Sequence, residues 1–183
     1  MIPPQFEYYA PSSVDEAVAL LRRFDGEAKV LAGGHSLIPL MKLRLAEPKA
    51  LVDINRIPNL AYLREEDGYL RIGATTRTGD LLDSALLRKS YPILTDAAQE
   101  IADPLVRNLG TVGGNVCHGD PGNDLPACIL ALGAVLAVTG PTGPRRRRPG
   151  SPPHRRSRNR RPAFRSSGRR CPDGTAPSGS GPR

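Results

Sequence analysis

Lys29-Val30-Leu31-Ala32-Gly33-Gly34-His35-Ser36 and Thr111-Val112-Gly113-Gly114-Asn115 are the two stretches on which the reading of this chain turns. Each sets a glycine pair beside an apolar run and ends in a short polar side chain. Without a Cβ, paired glycines let the backbone turn tightly and lie close to another group. Consecutive N–H groups in such a turn form a concave seat for an anion. A helix starting directly after the turn adds its free N–H groups and its dipole. Two such loops are suited to clamp a pyrophosphate from both sides.

Around these loops the chain divides into unlike parts. Met1 to Gly140 holds 13 Lys and Arg against 17 Asp and Glu, a net charge of −4. Pro141 to Arg183 holds 13 Arg, no Lys and one acid, Asp173, a net charge of +12. The first part is ordinary globular sequence, long enough for a core of its own. The second is Arg, Pro, Gly and Ser with Phe164 as its one large apolar residue, so residues 141–183 are expected to be a disordered tail. Three origins stay open for it: a nucleic-acid arm that neutralises phosphates, a solvated linker, or a GC-rich gene read out of frame. The abrupt change at Gly140-Pro141 and the lack of Lys favour the last. The absence of interleaved aromatics argues against specific nucleic-acid recognition.

The N-terminus lacks the basic and apolar regions of a signal peptide. No run approaches the roughly 18 apolar residues that span a membrane. Cys117, Cys128 and Cys171 are too scattered for a disulfide framework or an iron–sulfur centre. A cytoplasmic location is the expectation.

Elements place the loops. Phe6 to Tyr9 reads as a strand. Ser13 and Glu16 form a capping box ahead of a helix over 14–24, ended by Asp25-Gly26. Lys29 to Leu31 reads as a short buried strand running into Gly33, with Lys29 either offsetting phosphate charge or guarding a sheet edge. Ser36 is placed to cap a helix over 37–41, and Leu51 to Ile54 is a further strand. This order suggests an α/β unit over residues 1–58. A second unit, 59–140, has a strand at 69–74, helices at 78–87 and 93–101, a break at Asp103-Pro104, the second glycine loop, a helix at 125–133 and a buried strand at 134–138.

His35 lacks a partner carboxylate in sequence, so it reads as a spacer or hydrogen-bond donor before a catalytic base. Thr111 and Asn115 offer hydroxyl and amide groups for phosphate or ribityl contacts, or ordinary turn chemistry. Asp124 is a cap for the next helix or a contact to cofactor hydroxyls. A metal set from His118, Asp120 and Asp124 is the weakest alternative. No nucleophile triad, G-x-G-x-x-G or Walker loop occurs, and no catalytic residue is assigned.

Lys29 to Lys42 closely resembles the first flavin loop of the molybdenum hydroxylases. Thr111 to Asn115, followed by Asp120-Pro121 and Asp124-Leu125-Pro126-Ala127, resembles the second, and Leu70 to Thr76 matches a stretch between them. Over about residues 3–140 the chain is similar to the FAD-binding medium subunits of this family, those of aerobic carbon monoxide dehydrogenases above all. The resemblance implies an α+β, two-lobed FAD-binding fold of the PCMH type, shared with vanillyl-alcohol oxidase, with its second lobe incomplete here. It implies FAD contacts at Ala32, Gly33, Gly34, His35, Ser36, Thr111, Val112, Gly113, Gly114, Asn115 and Asp124. It also implies two partners, a small subunit with [2Fe–2S] clusters and a large molybdopterin subunit, with this chain passing electrons through FAD to an acceptor. Family members continue where this chain turns to Arg and Pro, so an inactive fragment is a second expectation. A stand-alone flavin oxidase is the alternative from a related family, and a basic-tailed nucleic-acid binder the alternative from another class.

Overall fold

The computed structural model describes residues 2–148. The chain opens with strand β1 (Glu7–Tyr9) and helix α1 (Val14–Arg23). Ser13 Oγ accepts from the Glu16 N–H at 3.2 Å, as expected of a capping box. The return bond differs: the Glu16 carboxylate takes the Ser12 N–H at 2.8 Å and the Ser12 hydroxyl at 3.0 Å, one residue earlier than expected. Asp25 and Gly26, both at positive φ, turn the chain out of the helix.

Strand β2 (Ala28–Leu31), helix α2 (Leu37–Lys42) and strand β3 (Ala50–Asp53) follow. Three strands make a parallel sheet in the order β1-β3-β2. The central strand β3 is buried along Ala50, Leu51 and Val52. The expectation of a buried strand at 29–31 fails: β2 lies at the sheet edge with Lys29 and Val30 exposed, a position where a lysine discourages pairing with other chains. Ala17, Ala28, Ala50, Val52 and Ile57 form the core of this part, with Leu20 and Leu21 of α1 and its C-terminal cap Phe24 packed against it.

An antiparallel hairpin comes next, strands β4 (Leu63–Glu66) and β5 (Tyr69–Ile72). Its turn, Asp67-Gly68, has both residues at positive φ, which the Asp-Gly pair supplies at low cost. The charged β4 went unread because Arg and Glu at its centre hide the alternation. Where one helix over 78–87 is expected, two occur, α3 (Thr78–Asp83) and α4 (Ala85–Ser90). Ser84 separates them with ψ 112 and caps the second through the Leu87 N–H. Helix α5 (Pro92–Glu100) lies where expected.

Asp103-Pro104 starts a helix as well as ending one. Asp103 accepts from the Val106 N–H at 3.0 Å and Pro104 takes the first position of α6 (Pro104–Leu109). Helices α7 (Val112–His118) and α8 (Asp124–Ala131) complete the helical layer. Leu81, Leu87, Leu94, Ala98 and Leu125 are almost fully buried together. Each leucine contributes roughly 1.5–3 kcal/mol on leaving water.

Strands β6 (Leu136–Gly140) and β7 (Gly143–Arg147) form a final hairpin. Two expectations change here. The strand after α8 is half-exposed in alternation, as suits one sheet face turned to solvent. The irregular tail does not begin at Pro141, because Gly143 to Arg147 pairs residue by residue with β6. Backbone pairing asks little of side-chain composition, so an arginine run adopts it. The rest of the expected tail, 149–183, lies outside the described residues.

Candidate functional site

In a parallel sheet, loops leaving the carboxyl ends of adjacent strands emerge on the same edge. Strand β2 is followed by Ala32-Gly33-Gly34 and its neighbour β3 by Ile54-Asn55, so these loops meet. Asn55 Nδ2 donates to Ala32 O at 2.8 Å.

The first segment leaves the strand and turns at Gly34, whose φ is +74. Gly34 O accepts from the Ile38 N–H at 2.9 Å, which starts α2. The His35 ring folds back so that Nδ1–H donates to Gly33 O at 3.0 Å. Ser36 occupies the capping position of α2 without a side-chain cap bond. Among the described residues, no acceptor meets the N–H groups of Gly33, Gly34, His35 or Ser36. Four successive donors thus have no partner among the described residues, beside a residue at positive φ, the arrangement that seats anions.

The second segment is built differently. It is the first turn of α7, with Thr111 as its cap, and not a loop. Its donors are spent inside the chain: Val112 N on Thr76 O, Gly113 N on Ala74 O, Gly114 N on Thr111 Oγ1 and Asn115 N on Thr111 O. The expectation of two equivalent N–H clamps therefore fails. What this segment offers is side-chain chemistry. Thr111 is buried, and Asn115 Oδ1 is buried with no hydrogen-bond partner among the described residues.

The glycines bring the two segments together. A Cβ on Gly33 would overlap Leu109 O and stand 2.9 Å from Gly110 Cα. One on Gly113 would stand 2.6 Å from Ala74 O, and one on Gly114 would stand 4.0 Å from Ala32 Cβ. Gly33 and Gly113 are thus required for backbone to pass backbone, a role that composition alone does not distinguish from close approach to a ligand.

A polar clasp missed in the sequence spans the junction. Arg77 Nη2 donates to Asn55 Oδ1 at 2.9 Å, and Arg77 Nη1 donates to Leu109 O. Asp53 Oδ1 accepts from the Asn55 backbone at 2.9 Å and from Nδ2 at 2.6 Å, while Asp53 Oδ2 accepts from the Tyr8 hydroxyl at 2.5 Å. Burial works to raise the Asp53 carboxyl, but the Tyr8 and Asn55 hydrogen bonds and the Arg56 charge outweigh it and hold the group below its ordinary range. The signal in the sequence was the polar run Asp53 to Arg56 at the carboxyl end of a central strand.

Asp124 is not drawn into this junction by any bond. It is the first residue of α8, exposed, on a cleft of about 600 Å3 also walled by Asp96, Glu100 and Cys128. Its neighbour Asn123 makes the link instead, donating from Nδ2 to Asn115 O at 3.3 Å. His118 Nε2 and Asp120 Oδ2 stand 3.9 Å apart, and the other Asp120 oxygen is taken by the Gly122 N–H.

Residues 4–150 match the family described as the FAD binding domain in molybdopterin dehydrogenase. The chain belongs to this family. The match reaches past Gly140, consistent with the pairing of β7. Among relatives of this FAD-binding domain, the carbon monoxide dehydrogenase medium chain of Hydrogenophaga pseudoflava is 55% identical over 145 residues, which are 79% of this chain and 50% of that one. The medium chain from Afipia carboxidovorans is 49% identical over 145 residues, with the same shares. The solved carbon monoxide dehydrogenase from Hydrogenophaga pseudoflava superposes with a TM-score of 0.79, covering 81% of this chain and 52% of that chain. Quinoline 2-oxidoreductase from Pseudomonas putida 86 gives 0.78 at 34% identity, over 81% and 52% of the two chains. The chain spans about half the length of the curated relatives it matches.

Proposed function

We propose that this chain is the FAD-binding part of an electron-transfer subunit in a molybdenum-containing hydroxylase, and that the pyrophosphate of FAD lies on the Gly33-to-Ser36 turn. The observation that carries this is the run of four unspent N–H donors at the junction of two segments. A neutral ligand leaves such a run poorly matched; a diphosphate has oxygens enough to meet all four. The second observation is Asn115 Oδ1, buried and unpaired. An amide oxygen only accepts, so it suits a hydroxyl of the ribityl chain and not a phosphate oxygen. Ala32 and Thr111 to Gly114 form the floor between these groups, and Asp124 is assigned to a more distant hydroxyl contact.

The finer architecture follows: a two-lobed, PCMH-type, vanillyl-alcohol-oxidase-like fold, with lobes over 1–58 and 59–140. The two separate hydrophobic clusters support this division. FAD, when bound, supplies the redox chemistry; the chain binds and orients it. Partner subunits carry the [2Fe–2S] clusters and the molybdopterin. Cytoplasmic residence belongs to the same proposal; no helix among the described residues is long and apolar enough to cross a membrane.

The test is titration of flavin-free protein with FAD and FMN by flavin fluorescence, with inorganic pyrophosphate as competitor. FAD is expected to bind more tightly than FMN and to be displaced by pyrophosphate. Equal affinity for FMN, or no flavin binding, overturns the reading.

A further inference from the structure

The donors of the Gly33-to-Ser36 turn point outward only if the carbonyls between them point inward. A trans peptide is planar, with its C=O and N–H on opposite sides, and no cis bond occurs among the described residues. Whatever holds Ala32 O therefore aims the Gly33 N–H the other way, and whatever holds Gly33 O aims the Gly34 N–H. Both carbonyls are held by side chains. Asn55 Nδ2 takes Ala32 O at 2.8 Å, and His35 Nδ1–H takes Gly33 O at 3.0 Å.

The Asn55 amide has one orientation available. Its nitrogen is committed to Ala32 O and to Asp53 Oδ1, and its oxygen to Arg77 Nη2. A flipped amide would set its oxygen against two acceptors and its nitrogen against a cation. Asp53 is itself anchored by Tyr8. Arg77 reaches on to Leu109 O, the carbonyl that a Cβ on Gly33 would overlap. Asn55 thus orients the peptide at the start of the donor run, and Arg77 ties Asn55 to the segment beneath.

We propose that Asn55, set by Asp53 and Arg77, and His35 are positioning residues that aim the Gly33 and Gly34 N–H groups at the diphosphate. This rests on the function proposed above. Neither residue has to touch the ligand through its own side chain. Both act through a carbonyl.

The experiment uses the full chain, freed of flavin. FAD affinity, displacement of FAD by inorganic pyrophosphate, and the thermal midpoint of the ligand-free protein are measured for wild type, Asn55→Ala, His35→Phe and His35→Gln. Asn55→Ala and His35→Phe are each expected to weaken FAD at least tenfold and pyrophosphate in parallel. His35→Gln keeps a donor on a flexible side chain and is expected to recover affinity to within threefold of wild type. The ligand-free midpoint moves by no more than a few degrees. If wild type binds FAD and the variants bind within twofold of it, this proposal falls and the proposed function stands. Glutamine as weak as phenylalanine also overturns it for His35, as does a loss accounted for by unfolded protein. If wild type binds neither FAD nor pyrophosphate, the proposed function falls and takes this inference with it.

Discussion

Replacing Gly33 by alanine tests the junction most directly. The added Cβ would overlap Leu109 O and lie 2.9 Å from Gly110 Cα and 3.1 Å from the Leu109 carbonyl carbon. Favourable carbon contacts lie at roughly 3.5–4.0 Å, so the segments must part by about 0.5–1 Å. The obstructing atoms are backbone, and the Leu109 carbonyl is held by Arg77, so no rotamer change relieves them. Overpacking of this kind costs roughly 1–3 kcal/mol. In a domain of this size each kcal/mol lowers the midpoint by about 2–4 °C. Thermal unfolding should therefore place Gly33→Ala several degrees below wild type, with weakened FAD binding. Gly34→Ala fails for a different reason. Its Cβ would meet Ile38 Cδ1, the end of a side chain, at 2.8 Å, and its φ of +74 costs about 1–2 kcal/mol in strain. The predicted mark of a junction defect is a lower midpoint coupled to loss of FAD in Gly33→Ala. A Gly33→Ala protein with wild-type midpoint and affinity would refute the reasoning that this glycine lets the segments interlock.

Thr111→Val should lower stability by about 0.5–2 kcal/mol through loss of the cap on the Gly114 N–H, whereas Thr111→Ser should keep most of it; equal denaturation midpoints for the two would remove the cap from the account. Asp53 has a folded pKa below its unfolded value of roughly 3.9, so its contribution is present above that value and lost as pH falls through the folded pKa. Wild type should lose more unfolding free energy than Asp53→Asn between pH 6 and pH 3, and parallel pH profiles would contradict this. Residues 149–183 hold nine Arg and one acid, so the full chain should bind DNA without sequence preference, weakening steeply with salt, and a chain ending at Arg148 should not. Preference for one sequence at physiological salt would show a selected arm instead.

The glycine segments, the capped α1 and the central strand were all legible because each announces itself locally. What escaped depended on neighbours. Nothing in Lys29-Val30-Leu31 says that β2 has a partner on one side only. Asp103-Pro104 reads as a stop because the start it also makes lies downstream. In Thr111 to Asn115 the glycines suggested open backbone, yet the N–H groups there are consumed by Ala74, Thr76 and Thr111. A donor's partner is a tertiary fact, and so is the choice between a glycine that admits a ligand and one that admits another segment of the same chain. Asn55 and Arg77 were invisible for the same reason, since each is an ordinary polar residue until the other is beside it.

The clasp also sets an order of events during synthesis. Its bonds join Ala32 to Asn55, Asn55 to Arg77 and Arg77 to Leu109, across separations of 23, 22 and 32 residues. At roughly 5–20 residues per second on the ribosome, Gly33 waits several seconds for Leu109 to exist. During that interval the parallel strands β1, β2 and β3 are all available to pair and Asn55 and His35 are present to hold the Ala32 and Gly33 carbonyls, but the segment from Leu109 to Asn115 that packs against the turn does not yet exist. On the proposed site, flavin added early lacks half of its contacts. If the proposed site is right, cofactor capture is a late step, and a nascent chain stalled before residue 109 should carry no flavin once free FAD is washed away.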